Sequence, residues 1–367
     1  MIKKLKSGYT TGSCAAAGTK AALLFLLKKV VPTEVEIDAL SGEKLHIPIK
    51  QVKVSKGEIW AEVIKDAGDD PDITHGVSVF TKVILNNNGN VRFFAGDGIG
   101  IVTKAGLSVP VGQPSINPGP RKMMTNVVHE LLPAGQGCDI TIAIPLGKEL
   151  AKRTLNPILG IEGGISVIGT SGIVRPMSEE GFKNSLTPQI DVALAAGFSN
   201  QIFVPGKIGE NIAVNLGLPQ QAIVQTSNFI GYMLEYAADK KLAGILLLGH
   251  LGKLVKVAAG NFYTHSKISD ARLETMAAYS ALLGMDKEGV KKIFDCITTE
   301  AAMEVVEEYH LEHKLYPLLC KRASSRAMQH VFQKLQVGTI MATLKGKILG
   351  MDENAKEIGR KLHWNII

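Results

Sequence analysis

Cysteine is scarce in this chain: four in 367 residues, at Cys14, Cys138, Cys296 and Cys320, with no Cys-x-x-Cys pair. That spacing argues against a zinc ribbon, an iron–sulfur cluster and a disulfide scaffold, and makes a reducing cytoplasm the simplest home. Long apolar runs are also missing. The best of them, Ala21–Leu27, is too short to span a bilayer and is closed by Lys28 and Lys29. Met1–Leu27 has the outline of a signal peptide, but Lys20 interrupts its apolar part and no small-residue cleavage site follows, so it is not read as one. Dense basic runs are absent too. Lys and Arg outnumber Asp and Glu 41 to 34, giving +7, yet they occur singly or in short pairs such as Lys3-Lys4 and Lys291-Lys292. A nucleic-acid surface gathers its charge into patches, so no nucleic acid and no membrane is expected as a partner. The excess fits a small polyanionic ligand drawn in by long-range attraction.

What is present is a globular composition, 46% hydrophobic and 20% charged. The length favours two domains with sizeable cores. Glycine, at 38 residues, gathers in loops, where it lets backbone approach a ligand closely.

The patterning changes near Leu155. Before it, a helix is expected from Ser13 to about Lys29, with Thr11 or Ser13 as N-cap. Val35–Leu40, Lys44–Ile49, Gln51–Val54, Glu58–Lys65 and Val77–Leu85 alternate with a period near two and read as strands. A turn at Asn86–Asn90 leads to Val91–Phe94, then a long loop from Gly96 to Pro120, a helix from Arg121 to Leu132 and a strand at Asp139–Ile144. Residues 1–155 are thus an α+β domain with a mostly antiparallel sheet.

In 156–367, short apolar strands at Ile165–Ile168, Gln201–Val204, Ala222–Gln225 and Gly244–Leu248 alternate with helices. Those helices are expected at Ser178–Ala196, Ile208–Leu216, Asn228–Lys241 and Gly252–Ala259. That is the signature of an α/β domain with a largely parallel sheet covered on both faces. Ser269–Leu335 reads as a helical part, followed by a strand at Thr339–Leu344 and a helix near Asn354–Leu362.

Five segments could carry chemistry. Gly8-Tyr9-Thr10-Thr11-Gly12-Ser13-Cys14 sets hydroxyls and N–H groups before a helix, which suits an anion or, more plainly, a capped helix. It lacks P-loop spacing. Asp66–Gly76 crowds four carboxylates into seven residues, which raises a carboxyl pKa or forms a solvated turn. Gly96–Met123 is too long for an idle connection and brings Arg121 and Lys122 to a helix start, against the dipole. Gly163–Ser178 and Gly249–Ser266 each follow an apolar strand with a small-residue loop, where ligands of open α/β sheets bind. Plain βα connections also favour such residues. His310-Leu311-Glu312-His313 lacks the spacing and further ligands of a metal site.

Taken in order, these segments resemble the CbiD family. The resemblance is carried by Gly8–Cys14, Gly68-Asp69-Asp70-Pro71-Asp72, Thr103–Leu107, Ile116–Arg121, Gly163–Ser178, Asn228-Phe229-Ile230-Gly231 and Gly249–Ser266. It implies a first domain similar to ribosomal protein S5 domain 2, followed by an α/β domain suspected of binding S-adenosylmethionine. The implied activity is cobalt-precorrin-5B (C1)-methyltransferase of anaerobic cobalamin synthesis, giving cobalt-precorrin-6A and S-adenosylhomocysteine. The cobalt travels in the corrinoid substrate, so no protein metal site is required.

Methyl transfer from a sulfonium needs alignment, exclusion of water and, where the substrate's protonation requires it, a base. Asp97, Asp69, Asp70 and His265 are the candidates for that base. Thr10, Thr11, Ser13, Lys104, Arg121 and Lys122 are candidate anchors for the substrate's carboxylate arms. Gly163, Gly164, Gly169, Thr170, Gly249, His250, Gly252 and Lys253 are candidate cofactor contacts. A glycine/serine-loop small-molecule kinase and a non-catalytic corrinoid carrier are the alternatives. Homo-oligomerisation and transient contact with neighbouring pathway enzymes stay open.

Overall fold

A computed structural model describes residues 5–55 and 57–364; the basic pair Lys3-Lys4 lies outside them. The chain divides into two compact units, Met1–Glu179 and Glu180–Ile367.

In the first unit, β1 (Gly8–Tyr9) leads into α1 (Thr11–Lys28), followed by the hairpin β2 (Glu34–Asp38) and β3 (Lys44–Pro48). Then come β4 (Gln51–Ser55), β5 (Glu58–Ile64), β6 (Ser78–Asn86), β7 (Val91–Ala95), β8 (Ile101–Val102), α2 (Pro118–Leu131) and β9 (Gly137–Ala143). The main sheet has the order β4-β5-β6-β9-β7, antiparallel except for the parallel β9–β7 pair. Val79, Thr81 and Val83 alternate inward along β6 and meet α1. The alanines of α1 permit this close contact, and a Cβ at Gly18 would lie 2.7 Å from the Thr81 hydroxyl.

The unit closes with α3 (Gly147–Ala151), α4 (Asn156–Leu159), β10 (Ile161–Glu162) and β11 (Ile173–Val174). Here the expected boundary at 155 is displaced. Ile165–Ile168 is no strand of the second sheet: Ile165 bridges Ile99, Val167 bridges Ile116, β10 pairs with β8, and β11 pairs with β1. Ile165 and Val167 are buried in the first unit's core because their backbone partners are there, while Ile168 is exposed.

The second unit begins with α5 (Glu179–Leu186) and α6 (Pro188–Ala195), two helices where one was expected, split at Thr187-Pro188. β12 (Asn200–Val204), α7 (Lys207–Asn215), β13 (Ile223–Gln225), α8 (Ile230–Asp239), β14 (Gly244–His250) and α9 (Leu251–Ala259) follow. The helical layer is α10 (Arg272–Leu282), α11 (Lys287–Asp295), α12 (Thr299–Glu308) and α13 (Glu312–His330). β15 (Gln336–Ala342), β16 (Ile348–Met351) and α14 (Glu353–Lys361) complete it.

The sheet order is β13-β12-β14-β15-β16, parallel except for β16, which the sequence reading did not anticipate. α7 and α14 pack on one face and α9 and α13 on the other, so every residue from Gly244 to Gly249 is buried. From β12 the chain moves outward to β13 and then crosses back to β14. The carboxyl ends of β12 and β14 therefore flank a topological switch point.

Candidate functional site

The switch point opens into a cavity of about 370 Å³ within the second unit. That volume lies within the range of small-molecule sites. His250 is both the last residue of β14 and the N-cap of α9, and its Nδ1 accepts the Gly252 N–H at 3.1 Å. The other ring nitrogen, Nε2, lies 2.7 Å from Glu300 Oε1. Two glycines make this approach possible. A Cβ at Gly249 would stand 2.9 Å from the Pro205 ring, and one at Gly252 would stand 3.1 Å from both His250 and the Thr299 hydroxyl.

Lys253, in the first turn of α9, and Lys256, in its last, line the same cavity. Lys253 Nζ donates to Pro205 O at 2.9 Å, and Lys256 Nζ to Thr264 O at 3.2 Å and Ser269 O at 2.8 Å. Burial pulls both ammonium groups below their ordinary value. Arg272 also lines the cavity and binds Asp270 through Nε and Nη2, each at 2.8 Å, which holds that carboxyl at about 2. Burial pushes the Glu300 carboxyl up, but its own backbone N–H, His250 and Thr299 outweigh that and hold it below the ordinary glutamate range. The cavity thus offers cationic donors and one ionised carboxylate to a ligand small enough to enter.

Four expected cofactor contacts, Gly249, His250, Gly252 and Lys253, are at or beside this cavity, as is His265, whose Nδ1 accepts the Lys267 N–H. Glu300, Lys256 and Arg272 line the cavity as well and are not among the expected contacts. Lys256 sits three residues after Lys253, the spacing of one helix face, and that signal was available. Nothing local marks Glu300.

The other cofactor candidates belong to the first unit, and two of them, Gly164 and Gly169, are closely packed there. A Cβ at Gly164 would stand 2.1 Å from Gly98 O, and one at Gly169, where φ is +155°, 2.4 Å from the Thr10 hydroxyl. Gly163 has φ +83°, and Thr170 is exposed.

The N-terminal turn is closed by the chain itself. The N-cap is Thr10, not Thr11 or Ser13, and it accepts the Ser13 N–H. Ser13 Oγ donates to Gly172 O, while Thr11 Oγ1 donates to Ile168 O and accepts the Ile168 N–H. All three hydroxyl residues are buried.

Asp69 accepts the Lys6 N–H at 2.7 Å, and Asp70 the Met177 N–H at 2.9 Å. Two neighbours reverse the expected rise from crowding. The Lys6 ammonium beside Asp66 holds that carboxyl low; at Asp72 burial pushes up, but Lys65 and Thr74 outweigh it. Asp97 is exposed, 3.3 Å from Lys148. Arg121 follows the true start of α2 by three residues; it donates to Ile116 O and Pro114 O and lies over the Phe93 ring. Lys104 donates to Ile158 O, and Lys122 is exposed.

A model of the CbiD family matches residues 1–176, and a model of the CbiD C-terminal domain matches residues 263–353. A protein of Moorella thermoacetica named cobalt-precorrin-5B C(1)-methyltransferase is 49% identical, over 98% of each chain. The chain belongs to the CbiD family. A Methanocaldococcus jannaschii relative of the same name is 47% identical, over 95% of this chain and 96% of its own. The crystal structure of a CbiD cobalamin biosynthesis protein from Archaeoglobus fulgidus is 26% identical, with a TM-score of 0.39 over 74% of this chain and 84% of that one. As a CbiD member, the chain carries the Gly249–Ser266 motif around the cavity, and the Gly8–Cys14 and Gly163–Ser178 motifs in the first unit's packing.

Proposed function

We propose that this chain methylates cobalt-precorrin-5B at ring carbon 1, with S-adenosylmethionine as donor. The observation that carries the proposal is close identity, over nearly the whole chain, to relatives named for that reaction. The second unit's cavity fits the donor: it is of small-molecule size, at a sheet's carboxyl edge, with cationic donors and an ionised carboxylate. His250, Gly252, Lys253 and Glu300 would hold it. When bound, the sulfonium supplies an electrophilic methyl group.

The residues' work is then alignment and exclusion of water. The donor would supply its methyl group to the ring carbon, with the carbon–sulfur electron pair staying on sulfur. Asp97 is kept as the proposed base, because Asp69 and Asp70 are tied to backbone N–H groups and His265 Nδ1 is taken by Lys267. Exposed Lys122 and Lys104 are the proposed anchors for the corrinoid's carboxylates, and a likeness of the first unit to ribosomal protein S5 domain 2 belongs to the same proposal. No helix among the described residues is long and apolar enough to cross a membrane.

Anaerobic calorimetry with S-adenosylmethionine and S-adenosylhomocysteine, with magnesium–ATP as control, comes first, followed by turnover with cobalt-precorrin-5B. Binding of both sulfur nucleotides and production of a methylated corrinoid are expected. Corrinoid binding without consumption of the donor would replace the enzyme by a carrier, and binding of ATP alone would point to a kinase.

A further inference from the structure

The charges that line the second unit's cavity are not balanced in the usual way. Arg272 has its own carboxylate in Asp270. Lys253 and Lys256 form no such pair: they stand three residues apart on one face of α9, among the described residues neither has a carboxylate within 4 Å, and Lys256 feels the Asp270 charge only from farther off. Both are bound only to backbone carbonyls, which accept a hydrogen bond but cancel no charge. An ammonium has three donors, so Lys253 keeps two to give and Lys256 one. Like charges at this spacing repel, and their burial makes the repulsion and the lost hydration costlier. An anion entering the cavity would remove that cost.

Glu300 is the converse. Its Oε1 faces His250 Nε2 at 2.7 Å and its Oε2 accepts the Thr299 hydroxyl at 3.1 Å. A carboxylate has about four acceptor directions, so capacity remains. No lysine or arginine among the described residues lies within 4 Å of it.

Two ammoniums and one carboxylate, each with unused hydrogen-bonding capacity, therefore share a cavity with no ion pair within 4 Å between them. A phosphate or a simple carboxylate would satisfy the lysines but be repelled by Glu300. A ligand that carries both charges on adjacent atoms uses all three groups.

We propose that Lys253, Lys256 and Glu300 form a subsite for an α-amino-acid zwitterion, the amino-acid end of the methyl donor. The lysines receive its carboxylate and Glu300 its ammonium. This rests on reading the cavity as the donor site, and it makes these residues the determinants of affinity for that end of the molecule.

The test compares S-adenosylhomocysteine with 5′-methylthioadenosine, which keeps the adenosine and thioether and lacks the amino-acid end. Calorimetry on the full chain should find the first ligand bound more tightly. Lys253→Met, which keeps the buried hydrocarbon, and Glu300→Gln should each weaken S-adenosylhomocysteine roughly tenfold or more, as expected for charge-assisted contacts. Both should leave 5′-methylthioadenosine within about twofold, which also reports that the variants are folded. Equal loss for the two ligands, or no loss for S-adenosylhomocysteine, overturns the subsite. So does equal affinity of the two ligands for the unaltered protein, while leaving the donor site standing. Failure of both ligands to bind the unaltered protein overturns the donor reading itself, and the subsite with it.

Discussion

Replacing Asp72 by alanine should destabilise the first unit far more than removing the lysine it faces. Lys65 is fully buried (1% exposed), and Asp72 is the carboxylate that neutralises it. Asp72 itself is about a quarter exposed and is also held by the Thr74 N–H at 2.7 Å and hydroxyl at 2.6 Å. Taking away Asp72 strands an ammonium with no water to receive it, a loss of about 3–5 kcal/mol for a broken buried pair. Lys65→Met instead leaves a carboxylate that keeps two donors and some water, and fills the lysine's space with a similar hydrocarbon. That change costs about 1–2 kcal/mol.

For a unit of this size each kcal/mol shifts the melting temperature by about 2–4 °C, so Asp72→Ala should lower it by roughly 6–20 °C. The assay is thermal unfolding of both variants followed by circular dichroism, repeated from pH 7 to pH 2. Asp72 titrates below the ordinary aspartate value in the folded state. Its contribution is therefore present above about pH 4 and is lost as pH falls through the folded value. The acid loss should be shallower in Asp72→Ala. If Lys65→Met were as damaging as Asp72→Ala, desolvation of the lysine would not be what makes this pair matter.

Thr11→Val keeps the shape of a buried residue but leaves the Ile168 N–H without its acceptor, and thermal unfolding should show a loss of about 1–3 kcal/mol. Donor affinity, read by calorimetry, should be unchanged. Arg121→Lys gives up the forked contacts to Ile116 O and Pro114 O and the stacking over Phe93. A loss of about 1–2 kcal/mol and faster proteolysis of the 96–117 loop are expected. Asp97→Asn should lower turnover of cobalt-precorrin-5B at least ~100-fold, the lower range for a general base, with no change in melting because the carboxylate is exposed. Unchanged turnover would remove Asp97 from the reaction.

By itself the sequence determined the elements whose signals are local. The run Gly244–Gly249 is apolar at every position, and only a strand covered on both faces has a use for that, so β14 and its parallel neighbours were legible. Because a glycine-flanked histidine ends that run, the placement of His250 and Lys253 at the sheet's carboxyl edge followed as well. The alternation of Val79, Thr81 and Val83 likewise gave β6 its inward face. The tertiary structure alone decided where similar local patterns went. Ile165–Ile168 reads as a parallel strand, yet its partners are Ile99 and Ile116, more than fifty residues away in sequence and in the other unit from the parallel sheet. The same holds for the hydroxyls of Thr11 and Ser13, which read as open donors until Ile168 and Gly172 are folded onto them. Glu300 lies fifty residues after His250 on an ordinary helix, and becomes a site residue only when α12 is packed against α9's start. Periodicity records which way a side chain faces along its own element. A hydrogen bond or ion pair between distant segments depends on where the whole chain carries them, and no local pattern encodes that.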